Sequence, residues 1–224
     1  MALPIAVLVS GSGSNLQSLI DRIESGTLDA DIRLVVSNNP DAYGIVRARN
    51  HNIPNLILDH RDFDSREAFD AEMAQAVRDS GAEYVILAGF MRLLTPGFLS
   101  AFPGRVVNIH PALLPSFPGT HGQRDAALYG VRIAGCTVHF VNEKMDNGPV
   151  IIQAAVPAYP GEDPGDLGER ILRCEHRIYA QAVQWLAEKR LTVQDRFVLL
   201  AQADRPLADA PQNALVSPPL EKGF

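Results

Sequence analysis

The amino-acid sequence predicts an α/β fold: a doubly wound, mostly parallel sheet of about seven strands with helices on both faces. Short β-branched runs of strand length alternate along the chain with segments whose apolar residues recur at helical spacing. Such alternation is typical of strand–helix–strand units, whose crossovers place consecutive strands parallel to one another. Because neither an internal repeat nor a linker interrupts the pattern, we expect a single domain over residues 1–198.

The alternation is clearest in the first half of the chain. Strands are predicted at 5–9, 32–36, 55–58, 84–88, 105–109, 135–141 and 150–156. Helices are predicted at 16–23, 43–51, 65–80 and 164–189, with a short one starting at Pro96. The last two strands are joined by a turn at 142–149, so we expect that pair to be antiparallel. Residues 199–224 are rich in Ala, Asp and Pro and are predicted to form a loosely ordered tail.

The composition excludes several classes of protein. With 224 residues, 46% hydrophobic and 21% charged, the chain resembles an ordinary globular enzyme that can bury a full core. The net charge is −6 and no run of Lys or Arg occurs, so a nucleic-acid partner is not expected. Neither a transmembrane segment nor a signal peptide is recognisable, which predicts a soluble, cytoplasmic protein without a membrane partner. Cys136 and Cys174 show no metal or redox spacing, which favours reduced, buried thiols and no metal.

The stretch at 105–119 is the strongest candidate for a functional site. Side chains alternate along a strand, so Asn108 and His110 project from the same face at its carboxyl end. Pro111 ends the strand, and open α/β sheets bind ligands at this edge. A satisfied core histidine beside a strand-end asparagine is the competing interpretation.

A glycine–serine loop follows the first strand and opens the first helix, with the sequence SGSGSN at 10–15. Free backbone N–H groups at a helix N-terminus bind anions. Leu16 stands where a dinucleotide-binding motif requires a third glycine, and no Gly-Lys-Ser/Thr motif follows. The loop therefore predicts a site for one phosphate group, although a turn without a ligand is equally compatible with it.

Two charged residues lie in unusual surroundings on predicted helices. Glu175 has only apolar or aromatic neighbours three and four residues away, so its carboxylate must be paired with a buried Arg or serve a site. Arg66 lies in the first turn of its helix, where a positive charge opposes the helix dipole. A solvated surface arginine and an arginine that holds an anion are both compatible with that position.

Asn108, His110 and Asp146 together would suit acyl transfer through a tetrahedral intermediate. A carboxylate near an imidazole stabilises the imidazolium, and the imidazole and the amide can each donate a hydrogen bond to an oxyanion. No nucleophile motif is present, so the nucleophile would come from the substrate.

Four motifs occur in the same order as in a known family: SGSGSN at 10–15, AGFMRLL at 88–94, NIHPALLP at 108–115 and MDNGP at 145–149. They resemble the phosphoribosylglycinamide (glycinamide ribonucleotide) formyltransferases, folate-dependent enzymes of purine synthesis. The resemblance covers roughly residues 5–195 and implies a Rossmann-type formyltransferase fold. The chain departs from the family pattern at Asn147, often Gly, and at Ala112, often Ser.

The resemblance implies that the amine of glycinamide ribonucleotide attacks the formyl carbon of 10-formyltetrahydrofolate, the formyl donor. Asn108 and protonated His110 would stabilise the oxyanion, and Asp146 would support His110 and help to carry the proton to the folate nitrogen. Gly13, Ser14 and Asn15 would bind the ribonucleotide phosphate, and Glu175 the substrate amine. The implied folate-binding residues are Arg66, Met91, Arg92, Leu93, Leu94 and Asn108. A homodimer is compatible with the sequence.

Three alternative functions share features with this sequence. A 10-formyltetrahydrofolate hydrolase shares this core, but such relatives usually carry an N-terminal regulatory domain, whereas the first strand is predicted at residue 5. Methionyl-tRNA formyltransferase adds a basic C-terminal domain, which a net charge of −6 and the neutral tail do not suggest. A non-catalytic phosphosugar- or folate-binding module would leave Asn108, His110 and Asp146 without a purpose.

Overall fold

The computed structural model describes residues 2–203, 205–211 and 213–224, and the chain divides into two compact units. The first unit runs to Asn108 and also includes Val141–Glu143. The second unit comprises Ile109–Phe140 and Lys144–Phe224. The chain passes between the units three times, and the first passage lies within strand β5 (Val106–His110), after Asn108.

The first unit is a parallel sheet with the strand order β3-β2-β1-β4-β5. This is the doubly wound arrangement predicted from the alternation of strands and helices. Its strands besides β5 are β1 (Leu3–Val9), β2 (Ala30–Ser37), β3 (Asn55–Ile57) and β4 (Tyr84–Leu87). Its helices are α1 (Ser14–Glu24), α2 (Tyr43–Asn50), α3 (Arg66–Asp79) and α4 (Pro96–Ala101), with a 3₁₀ turn at His60–Asp62.

Strand β1 shows why helices cover both faces of this sheet. Ala6 and Leu8 point to one face, where they pack in a buried cluster with α3 and α4. Val9 points to the opposite face, where its side chain packs directly against Gly44 of α2. Because successive side chains alternate, a continuously apolar strand buries both of its faces.

The second unit is built around an antiparallel pair of strands, β6 (Ile133–Phe140) and β7 (Val150–Pro157), as predicted. The long helix α6 (Pro164–Ala187) packs against both strands and against α5 (Gly122–Tyr129). Beyond α6, β8 (Leu191–Gln194) and β9 (Phe197–Leu200) form an antiparallel hairpin, and β10 (Leu215–Ser217) pairs with β7.

The described residues contain ten strands rather than about seven, and helix α5 was not predicted. The three additional strands, β8 to β10, have only three or four residues each, which is too short for an alternation of apolar and polar residues to identify a strand. Helix α5 has only eight residues and starts at a glycine, and its N-cap residue His121 makes no capping hydrogen bond through its side chain.

Most described residues between 201 and 215 are exposed, whereas a few near the C-terminal end are buried. Leu220, Glu221 and Phe224 are buried, and the backbone N–H of Glu221 donates to Gln181 Oε1 of α6 at 2.8 Å. The prediction of a loose tail does not describe these residues, because their composition does not reveal partners that only the folded helix supplies. Among the described residues, none of the helices has the length and apolar character needed to cross a bilayer.

Candidate active site

The glycine–serine loop of the first unit is held tightly against α2. Gly13 has φ 69° and is the N-cap of α1, and a Cβ there would lie 2.6 Å from Gly44 Cα. Gly44 N–H donates to the Gly11 carbonyl at 3.0 Å, and Arg47 Nε donates to the Ser12 carbonyl at 2.8 Å. Only glycine fits at position 13, because both the backbone conformation and the close approach exclude a side chain.

The start of α1 has the features of an anion site. Gly13 provides no side chain to cap the helix, and the first turn contains no acidic residue. Ser14 is half-buried and Asn15 is buried at this end. The positive end of a helix dipole that carries no acidic side chain favours a phosphate.

The loop between β4 and α4 (residues 89–95) carries most of the predicted folate-binding residues. Phe90 is buried and Leu94 packs against the core cluster, whereas Met91 and Leu93 are 59% and 53% exposed. Two of the largest apolar side chains of this loop therefore face solvent. An exposed apolar pair on a fixed loop is typical of a ligand-binding surface.

Arg66 contacts this loop. Its Nη2 donates to the Leu93 carbonyl at 3.0 Å, which places the first turn of α3 beside the predicted folate residues. Arg92, half-buried, stacks its guanidinium over the Phe69 ring at 5.2 Å. These contacts bring Arg66, Arg92 and Leu93 together within the first unit.

In the second unit, His110 lies between two acceptors. Its Nε2 contacts the Phe117 carbonyl at 2.8 Å, and its Nδ1 is 3.5 Å from Asp146 Oδ2. Both His110 and Asp146 are largely buried, so their interaction is little screened by solvent. Both ring nitrogens of His110 therefore face an oxygen atom.

Asp146 is fixed by a strained turn and by a hydrogen bond from the backbone. Its φ of 48° lies in the left-handed region, and Gly119 N–H donates to its Oδ2 at 2.7 Å. Gly148 permits the turn, because a Cβ there would lie 1.6 Å from the Phe140 carbonyl oxygen. Non-glycine residues in this conformation concentrate at functional sites.

His139 is a second histidine near Asp146. Its Nε2 is 3.8 Å from Asp146 Oδ1, and its Nδ1 contacts the Phe140 carbonyl at 2.9 Å. Burial lowers the pKa of His139, so its ring is neutral at neutral pH, with Nδ1 as the donor to the carbonyl. His139 lies in the strand predicted at 135–141, but its approach to Asp146 could not be predicted, because it depends on the 142–149 turn.

Glu175 and the two cysteines are also buried in the second unit. Glu175 lies on α6 and is 6% exposed, as its apolar neighbours predicted. Both cysteines are free and buried, and burial raises the pKa of Cys174 to about 11 and that of Cys136 well above its usual value. The thiols are therefore protonated at neutral pH and are poor nucleophiles.

Asn108 precedes His110 by two residues on β5 and is half-buried. Both residues lie within one strand, and their projection from the same face stays a prediction from its alternation. In the described part of the chain, no three His, Cys, Asp or Glu residues are grouped so that they could hold a metal ion. Histidine and asparagine are residue types whose side chains can donate hydrogen bonds to a developing oxyanion.

Comparison with known proteins shows what the chain is similar to. Residues 3–183 match the family described as Formyl transferase. The chain is 44% identical over 191 residues to the phosphoribosylglycinamide formyltransferase of Escherichia coli (strain K12), covering 85% of this chain and 90% of the relative. It is 46% identical over 184 residues to the trifunctional purine biosynthetic protein adenosine-3 of Drosophila melanogaster, covering 81% of this chain but only 14% of that longer protein.

Solved structures of similar proteins lead to the same family. The glycinamide ribonucleotide transformylase 1 of Symbiobacterium toebii has a TM-score of 0.88 at 46% identity, over 90% of this chain and 95% of that one. The phosphoribosylglycinamide formyltransferase of Coxiella burnetii has a TM-score of 0.85 at 40% identity, over 89% and 94%. The chain belongs to the formyl transferase family.

Proposed function

We propose that the chain transfers the formyl group of 10-formyltetrahydrofolate to the amine of glycinamide ribonucleotide, in de novo purine synthesis. The products are formylglycinamide ribonucleotide and tetrahydrofolate. The observation that carries the proposal is the buried pair of His110 and Asp146, 3.5 Å apart at the end of β5. The similarity to phosphoribosylglycinamide formyltransferases over most of the chain supports it.

In the proposed reaction, the substrate amine attacks the formyl carbon and the carbonyl oxygen becomes an oxyanion. Asn108 and protonated His110 donate hydrogen bonds to this oxygen, and Asp146 stabilises the imidazolium. The formyl oxygen would replace the Phe117 carbonyl as the acceptor of the His110 Nε2 proton. The C–N bond to the folate then breaks, and the amine's proton passes to the folate nitrogen with the help of Asp146.

The binding roles are proposed as follows. Gly13, Ser14 and Asn15 bind the substrate phosphate, since the start of α1 offers backbone donors and no acidic side chain. Glu175 binds the amino end of the substrate. The folate donor contacts Asn108 and the residues of the 89–95 loop named above, with Arg66 at its anionic tail. A cytoplasmic location and a homodimer stay predictions from the sequence.

The proposal is tested by mixing the purified protein with 10-formyltetrahydrofolate, with and without glycinamide ribonucleotide, and following deformylation by absorbance. We expect turnover only when the ribonucleotide is present. Deformylation without the ribonucleotide would instead identify a hydrolase. Folate binding without turnover under either condition would identify a binding module and contradict the proposal.

A further inference from the structure

One face of α3 contacts the carboxyl-terminal part of the 89–95 loop. Arg66, Phe69 and Asp70 follow the spacing i, i+3, i+4, so their side chains project from the same face of the helix. Each contacts a different residue of the loop. The three contacts are with residues 92, 93 and 95, which lie within four consecutive positions of the loop.

The Asp70 contact is the most buried of the three. Asp70 is 3% exposed, and its Oδ2 accepts the backbone N–H of Thr95 at 2.6 Å. Thr95 is also 3% exposed, and its hydroxyl caps α4 by accepting from Phe98 N–H at 3.4 Å. A charge-assisted hydrogen bond between two buried groups is short and strong, so it fixes the peptide that ends the loop.

The other end of the loop is also held. Ser10 Oγ accepts the backbone N–H of Met91 at 2.8 Å and itself donates to Asn38 Oδ1 at 2.5 Å. Between these two anchors, Met91 and Leu93 remain more than half exposed. The loop is therefore a rigid backbone that presents apolar side chains to solvent.

We propose that Asp70 is a positioning residue for the folate donor: it fixes the backbone at Leu93–Thr95 so that the loop is ready to bind the folate. This inference rests on the proposed function. Asp70 itself is too buried to contact a ligand, so it acts through the loop. A loop that is already ordered before binding loses less entropy when the ligand arrives, and its affinity is higher for that reason.

The proposal predicts a selective kinetic effect. In Asp70→Asn, the carboxylate is replaced by an amide, which accepts the Thr95 N–H less strongly and buries an additional donor. We expect the KM for 10-formyltetrahydrofolate to rise about tenfold, with kcat and the KM for glycinamide ribonucleotide changed by less than about twofold. Steady-state kinetics with each substrate varied in turn measures all three constants.

The matched control is Asp79→Asn, the same chemical change on the same helix at an exposed aspartate. Its constants should equal those of the unmodified protein. Should Asp70→Asn fail to fold, as judged by circular dichroism, Asp70→Glu replaces it, because it keeps the charge but displaces the oxygens from Thr95 N–H. An equal change in both KM values, or an unchanged KM for the folate, would overturn the proposal.

Failure of this proposal is distinguishable from failure of the proposed function. If the unmodified protein showed no ribonucleotide-dependent turnover, the function would be wrong, whatever Asp70 does. In that case, folate binding by calorimetry still tests Asp70, since the variant should bind the folate about tenfold more weakly than the unmodified protein. Equal binding by the two proteins would contradict the role assigned to Asp70.

Discussion

Both oxygens of the Asp146 carboxylate face groups that limit where it can lie. Oδ2 accepts from Gly119 N–H and faces His110, while Oδ1 faces the neutral ring of His139. The backbone of Asp146 is held in a left-handed conformation that few non-glycine residues adopt. These contacts hold the carboxylate beside His110, the residue through which we propose that it acts.

The proposed chemistry predicts that His110→Ala lowers kcat by about 10²–10³-fold, the usual cost of losing one oxyanion donor. The KM values for both substrates should change much less, because the ring acts mainly in the transition state. The control is His51→Ala, which removes a histidine paired with Glu24 in the first unit. A kcat equal to that of the unmodified protein would exclude His110 from the chemistry.

Gly148→Ala should displace the turn that carries Asp146. The new Cβ would overlap the Phe140 carbonyl, so the backbone must move, at a cost of about 2 kcal/mol or more in the free energy of unfolding. Denaturant unfolding measures the cost, and kcat should fall with it. Gly97→Ala is the control, because the atom nearest to its new Cβ is 3.8 Å away.

At the scale of elements, the turn at 142–149 is also held by the β8–β9 hairpin. Arg196, between the two strands, donates from Nη1 to the Asn147 carbonyl at 3.0 Å and to Asn147 Oδ1 at 3.3 Å. Asn147 is one of the two positions at which the chain departs from the family pattern. The side chain of Asn147 thus offers Arg196 a second acceptor, which a glycine at position 147 would lack.

Arg196→Ala should lower kcat by about threefold to fivefold, because an exposed hydrogen bond contributes only about 1 kcal/mol to holding the turn. In an Asn147→Gly background the effect should be smaller, since one of the two acceptors is already absent. Arg33→Ala, at an exposed ion pair in the first unit, is the control. Identical kcat values for Arg196→Ala and the unmodified protein would show that the hairpin does not support the turn.

The helices and strands that could be predicted are those whose sequence pattern depends only on residues close together in the chain. Strand β1 is continuously apolar, and Ser65 caps α3 by accepting from Ala68 N–H at 3.1 Å, as its residue type indicated. Strand β10 could not be predicted, because its stability comes from pairing with β7 far away in the sequence. The same distinction applies to the site.

Asn108 and His110 could be placed on one strand face from periodicity alone. The contacts of His110 with the Phe117 carbonyl, and of Asp146 with Gly119, depend on loop conformations that periodicity does not determine. The contact of Asp70 with Thr95 was not predicted for the same reason. Residue type thus identified the candidate chemistry, whereas the folded loops supply its geometry.

For the molecule as a whole, the C-terminal residues contribute to stability through Glu221. This buried carboxylate pairs with Arg190 Nη1 at 2.7 Å and accepts from Trp185 Nε1 at 3.2 Å. Arg190 also pairs with Glu188 at 2.9 Å. Removing a buried charge that accepts from several donors is costly, because those donors stay buried without the group that paired with them.

Glu221→Gln should lower the free energy of unfolding by about 2 kcal/mol, because it removes the charge that faces Arg190. Trp185 is the single tryptophan of the chain, so its fluorescence reports this contact directly. Denaturant unfolding followed by that fluorescence is the measurement. The control is Glu72→Gln at an exposed site on α3, which should leave the free energy of unfolding unchanged. Equal free energies of unfolding for the two variants would show that Glu221 does not stabilise the fold.

The depressed pKa of His139 predicts a dependence of stability on pH. In the folded state the pKa of His139 lies below its ordinary value of 6.5, whereas in the unfolded state the pKa is 6.5. Between the folded pKa and 6.5 the unfolded state binds more protons, so stability falls as the pH decreases through that window. Thermal midpoints between about pH 7 and about pH 5 should therefore fall less steeply in His139→Gln than in the unmodified protein; parallel curves would contradict this.

The most direct test of the account follows the formyl group itself. The protein is incubated with glycinamide ribonucleotide and a folate donor that carries ¹³C in its formyl group, and the products are identified by mass spectrometry. We predict that the label appears in the ribonucleotide, in a one-to-one ratio with tetrahydrofolate, and that His110→Ala nearly abolishes it. Label found only in free formate, or transfer that is undiminished in the variant, would contradict the account.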